Sequence, residues 1–187
     1  MALSSGIVNQ PITKKAGLKT LWILGGTVSS YGPYVSPATY LDPSLGATGL
    51  TSIGGTGTWY NFALPKNTSS YSEAPMRSGE NSSLYYEGTL TAEFYGPNAA
   101  NDIILQNLLS ARFLKIIVMY NDNTYRAIGL DNGAEVKTAP SGSGTKPGDN
   151  LNYKVTFTTE ENNSAYWLQS DIATVCAAFT VQPQTAY

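Results

Sequence analysis

The sequence predicts a mainly β protein: an antiparallel β-sandwich or partial barrel, with one flanking α-helix at about 98–111 and long loops and arms. Two patterns predict it. Apolar and polar residues alternate over several stretches, the spacing of strands with one wet face. A single segment instead carries its apolar residues at helical spacing, and Gly, Pro, Asn and Asp punctuate the rest. At 187 residues the chain has the length of one domain, 1–187, with enough residues to bury a core.

Met1–Gly17 reads as a polar N-terminal arm, and Leu18–Leu24 as a first strand. Ser29–Gly57 is a long loop rich in Gly, Pro, Ser and Thr. It also holds Tyr31, Tyr34, Tyr40, Leu41, Leu45, Leu50 and Ile53, which a disordered linker does not need, so it is expected to pack on its own domain or a neighbour. Thr58–Leu64 alternates, with Tyr60, Phe62 and Leu64 inward. In Leu84–Tyr95 the apolar row is Leu84, Tyr86, Leu90, Ala92 and Phe94, and the wet row includes Glu87, Thr89, Thr91 and Glu93.

Gly96-Pro97 then stops the strand. Asn98 is placed to cap a helix, Asp102 suits the dipole at its start, and Ala100, Ile103, Ile104, Leu108 and Ala111 share helical spacing. This helix is expected to cover the core by packing on a sheet. "FLKIIVMY" at Phe113–Tyr120 is apolar on both sides apart from Lys115, the pattern of a central strand covered on both faces. "NDN" turns it into "TYRAIGL", a hairpin. A polar loop at 139–150 follows. In Leu151–Thr159, Leu151, Tyr153, Val155 and Phe157 face inward. A weaker strand is expected at Ile172–Val181, within a C-terminal extension at 162–187.

Charged residues make up 13% of the chain, about half the usual roughly 25%. Ser, Thr, Asn, Gly and Tyr replace them. Such a surface can be buried against other protein at lower desolvation cost than a charged one. The net charge of −2 argues against a DNA-gripping protein. One cysteine, Cys176, excludes an internal disulfide framework and a cysteine-based zinc site within one chain. No signal-peptide pattern or membrane-length apolar run is seen, so neither secretion nor membrane insertion is expected.

Chemistry is sparse. With no histidine, Ser-His-Asp and Cys-His arrangements are impossible. Glu160 and Glu161 are adjacent and point to opposite faces, the pattern of a solvated strand end. Glu87 and Glu93 share a face but lie roughly 20 Å apart, too far for a glycosidase pair. "GSGTKPGD" lacks the phosphate-loop spacing, and "NDNTY" and "LDNGAE" do not continue into a calcium loop. No catalytic residue, metal ligand or cofactor is expected.

The stretch from about 57 to 161 resembles the tail tube (major tail) proteins of tailed bacteriophages, especially those of Bacteroidetes-type hosts, and their relatives in contractile injection systems. The segments that carry this are "WYNFALPKNTSSYSEAP", "SLYYEGTLTAEFYGPNAANDIILQNLLSARFLKIIVMYNDNTYRAIGLDNGAEV" and "GSGTKPGDNLNYKVTFTTEE". The resemblance implies a structural virion protein, located in the tail and assembled in the host cytoplasm. Six copies form a ring, and rings stack into a tube. One sheet of each subunit lines a channel for transient, non-specific DNA passage, and tape-measure and tail-completion proteins are partners. Glu87 and Glu93 would then face the lumen. Pro140, Ser141, Gly142, Ser143, Gly144, Thr145, Lys146, Pro147, Gly148, Asp149 and Asn150 would form a connector to the next ring. Two alternatives accompany this reading. One is another virion ring or decoration protein: neck, tail terminator, distal tail or capsid decoration. The other is a carbohydrate-binding β-sandwich whose platform would be exposed Trp59, Trp167 and tyrosines.

Overall fold

In the computed structural model, residues 16–25, 35–36, 49–77, 83–143, 146 and 151–183 are described. Their elements run β1 (Leu18–Gly25), β2 (Val35–Ser36), β3 (Gly54–Gly55), β4 (Thr58–Ala63), β5 (Ser70–Arg77) and β6 (Leu84–Tyr95). There follow α1 (Ala99–Ser110), β7 (Ile116–Tyr120), β8 (Tyr125–Ile128), β9 (Ala134–Thr138) and β10 (Ser141–Gly142). The chain closes with β11 (Asn152–Glu161), β12 (Tyr166–Trp167), α2 (Ile172–Val175) and β13 (Thr180–Val181).

Two sheets face each other. The larger has six strands in the order β12-β8-β7-β1-β4-β13. The other has five: β5, β6 and β11, with β9 and β10 both paired to the outer edge of β11. The fold is therefore the expected mainly antiparallel β-sandwich, and it is not a closed barrel. The small β2–β3 pair stands apart.

The central strands explain the architecture. On β7, Ile116 and Val118 face the five-stranded sheet, where they meet Leu90, Ala92, Val155 and Phe157. Ile117 and Met119 face the other way, with Trp22, Leu24 and Ala127. β1 serves both cores because its side chains alternate, Leu21 and Ile23 to one side and Trp22 and Leu24 to the other, and a bulge between Leu18 and Thr20 shifts its register. Leu18 therefore joins Leu21 and Ile23 in the inter-sheet core, while Thr20 turns toward the other face and donates its hydroxyl to Phe62 O at 2.9 Å.

The second apolar face of the six-stranded sheet is covered by the C-terminal segment. Ile172, Val175, Cys176 and Phe179 pack on it, together with Leu50 and Ile53. Backbone bonds stitch this cover down: Leu50 N donates to Trp167 O at 2.7 Å, Ile53 N to Val175 O at 2.8 Å and Gln182 N to Trp59 O at 2.9 Å. Gly49 permits the first of these contacts. Its φ is +114°, and a Cβ there would stand 2.5 Å from Trp167 O.

Several expectations are corrected. Ile172–Val181 is a single helical turn followed by the short β13, because Ile172, Val175, Cys176 and Phe179 sink apolar side chains at turn-like spacing. On β4 the buried aromatic is Trp59, fully enclosed, while Tyr60 is 45% exposed. β4 has two covered faces, and Tyr60 lies at the margin of one of them, across the backbone of Gly25. Leu84, Phe113 and Leu151 begin their segments beyond the edge of the core and are exposed. α1 spans the expected residues and is capped by Asn98, whose side chain accepts from Asn101 N at 2.9 Å. It does not cover the core: no residue of α1 is buried, and only Leu105 and Leu108 lean on the inter-sheet cluster.

An ion pair clamps the two sheets along one side. Glu73 on β5 points inward, with side-chain exposure of 10%, and pairs with Arg126 of β8. Ala165 N donates to Glu73 Oε1 at 2.7 Å, and Arg126 Nε donates to Ala165 O at 3.0 Å. The guanidinium also lies over the rings of Tyr71 and Trp167. Arg126→Ala strands a buried carboxylate, so the expected loss is about 3 kcal/mol in urea denaturation. Arg126→Lys is expected to recover less than half of it, because Lys lacks the planar fork.

Candidate functional site

The outer face of the five-stranded sheet is the principal polar surface. Across it, Ser70, Thr91, Thr156 and Thr138 stand in register on neighbouring strands. The next row is Ser72, Thr89, Thr158 and Glu135. None of these side chains is buried. Cross-strand hydroxyl pairs of this kind support a sheet while leaving hydrogen-bonding capacity toward water.

Glu87 and Glu93, singled out in the sequence, both lie on this face and flank the hydroxyl rows. Glu93 is opposite Lys154 and accepts a hydrogen bond from Asn152 Nδ2 at 2.5 Å. Glu87 stands opposite Glu160.

The 139–150 loop leaves the sheet at its Glu93 end. Its first residues are zipped to the subunit's own sheet: Ser141 and Gly142 pair with Tyr153 and Asn152, and Pro140 O accepts from Lys154 N at 3.0 Å. Ser143 and Lys146 are exposed, and Gly144, Thr145 and Pro147–Asn150 lie outside the described residues. So do residues 1–15 of the N-terminal arm and most of the 29–57 loop, including Tyr31, Tyr34, Tyr40, Leu41 and Leu45.

α1 sits near this same end, tied by Tyr153, whose hydroxyl bonds to Asp102, and by Gly96 N, which donates to Leu151 O at 3.3 Å. Its exposed side carries Ile103 and Ile104, at 59% and 44% exposure, with Leu109 on another flank. Asp102 is its only charged residue.

Sequence reasoning missed a buried charged latch. Glu161 was expected in solvent and is buried. The inward row of β11 continues through Thr159 to Glu161, so period two carries the signal. Its carboxylate accepts from the N–H groups of Asp131, Asn132 and Gly133 at 2.9, 3.1 and 3.2 Å. Lys115, also buried, donates to Leu130 O at 2.8 Å from the same loop. Gly133, with φ +92°, lets that loop close against the backbone of Phe113. The "LDNGAE" turn thus surrounds an internal carboxylate. In "NDNTY", Asp122 is engaged by the Thr124 hydroxyl at 2.6 Å.

Trp59 is buried, so it cannot belong to an exposed aromatic platform. Trp167 is 41% exposed, with Tyr120 and Arg126 against its ring. Comparison with known proteins finds no matching family model, curated protein or solved structure.

Burial raises the Glu161 pKa above its usual 4.5, and its backbone N–H partners only partly offset this. The folded chain therefore holds this proton more tightly than the unfolded chain. The contribution is complete below the unfolded value and is lost as pH rises through the folded one. Wild type should gain stability relative to Glu161→Gln as pH falls from about 7 to about 4, read by urea melts. A gap that narrows instead would mean that the N–H bonds outweigh burial.

Proposed function

We propose that this chain is a structural subunit of a phage-tail-type tube, in which copies form rings that stack around a channel for DNA. The observation that carries the reading is the outer face of the five-stranded sheet. It offers rows of serine and threonine hydroxyls with carboxylates at both ends, and among the described residues no element of its own chain lies over it. A lining through which DNA slides must hydrate well and must not grip phosphates. Hydroxyls and carboxylates meet both conditions, and Lys154 is opposed by Glu93.

α1 supports the reading from the other side. A helix apolar on several flanks is ordinarily buried, yet here Ile103, Ile104 and Leu109 are exposed in the single subunit. In a ring that surface is covered by a neighbouring copy. The low charge of the whole chain lowers the cost of burying such contacts. Hexameric closure, the tape-measure and tail-completion partners and the virion location belong to the same proposal. A carbohydrate-binding module is disfavoured, because Trp59 is unavailable to a ligand.

Negative-stain images of the purified protein test this. Open filaments of regular bore are expected. Closed single rings at all concentrations would point to a neck or terminator station, and a persistent monomer would sink the proposal. Ile104→Glu should change subunit stability by less than about 0.5 kcal/mol while abolishing assembly, checked by thermal melts and sedimentation.

A further inference from the structure

The turn that surrounds Glu161 carries a chemical liability that packing forces on it. A Cβ at position 133 would stand 2.7 Å from Phe113 Cα, and φ there is +92°, so only glycine fits. The residue before it is Asn132, which makes the chain's one Asn-Gly pair. Asn-Gly is the dipeptide most prone to spontaneous cyclisation, because glycine puts no side chain in the way of its own amide nitrogen. That nitrogen loses its proton and attacks the asparagine carboxamide carbon. A new C–N bond closes a five-membered imide, the bond to Nδ2 breaks, and ammonia leaves with the proton. Water then opens the ring to aspartate or isoaspartate. Asn132 is exposed and lines an open cleft, so water reaches it.

Both reacting groups are nonetheless held. Gly133 N, the nucleophile, donates its hydrogen to Glu161 Oε1 at 3.2 Å. The N–H groups of Asn132 and Asp131 donate to the same carboxylate at 3.1 and 2.9 Å. The carboxamide has its own anchor: Asn132 Nδ2 donates to Glu160 O at 2.7 Å. Attack requires the Gly133 nitrogen to give up its proton and turn toward Asn132 Cγ. A neighbouring negative charge opposes an anionic nitrogen. Leaving the carboxylate also strips a buried acceptor of its partner. Rearrangement would damage the turn, because isoaspartate lengthens the backbone between N–H groups that converge on one carboxylate.

We infer that the Glu161 latch is a protective device, which holds the Gly133 nitrogen away from the Asn132 carboxamide and keeps this Asn-Gly bond from rearranging in the native fold. Glu161 is a positioning residue in this role and takes no part in the cyclisation. Nothing in the role depends on the tube reading.

The full-length protein is held for weeks in neutral buffer and digested with trypsin. Aspartate and isoaspartate at position 132 are then measured by mass spectrometry in the peptide Ala127–Lys137. Native wild type should be modified at least about tenfold more slowly than the same chain unfolded in guanidinium, because the reaction must wait for the latch to open. Glu161→Ala, with its fold checked by circular dichroism, should come within about threefold of the unfolded rate. Val175→Ala opens a cavity in the other core and should stay within about twofold of wild type. Equal rates in native and unfolded wild type overturn the inference. So does a Glu161→Ala rate no higher than wild type, which would make Glu161 a proton acceptor for the cyclisation. A Val175→Ala rate as high as that of Glu161→Ala also overturns it, by assigning the protection to overall stability. Should Glu161→Ala not fold, Glu161→Gln decides. It keeps an acceptor oxygen and loses the charge, so a several-fold faster rate is expected, and an unchanged rate contradicts the inference.

Discussion

A sheet that is apolar on both faces must be covered on both faces. The six-stranded sheet imposes that constraint through β7 and β1, whose side chains supply two separate cores. One cover is the second sheet. The other is built from Leu50, Ile53 and the C-terminal segment, held by backbone bonds to β4, β8 and the strand-flanking loops. A subunit in which every apolar strand face is already satisfied has one sheet face left for the outside, and that face is the hydroxyl-rich one.

The division of surfaces follows. The outer face of the five-stranded sheet is polar. α1 carries apolar side chains that its own subunit does not bury. The Arg126–Glu73 clamp and the Glu161 latch use charge internally, in places where it fixes one sheet or loop against another.

Much of this was legible in the residues. Period two located β4, β6 and β11, the doubly apolar "FLKIIVMY" run marked β7 as the central strand, and the "NDN" turn marked β8 as its hairpin partner. Asn98 and Asp102 marked the start of α1. Errors arose where tertiary context decides. Period two in β4 marks the row of Tyr60, Phe62 and Leu64 as inward but cannot say that Trp59 on the opposite face is covered as well. Helical spacing in α1 identified a helix without saying what covers it. Glu161 was read as part of a solvated pair, although its parity with Phe157 and Thr159 placed it inward. The C-terminal cover was obscured because a four-residue helix and a two-residue strand leave little periodicity to read.

The central claim is that the hydroxyl face stays wet while the α1 surface becomes buried in the assembly. Cys176 is enclosed, and burial pushes its thiol up to about 12, so engineered cysteines report without background. Thiol labelling at Thr91→Cys and Ile104→Cys, before and after assembly, compares the two surfaces directly. Thr91→Cys should keep reacting with a small maleimide in the assembled state, and Ile104→Cys should become protected. Protection at Thr91 with continued reactivity at Ile104 would contradict the account.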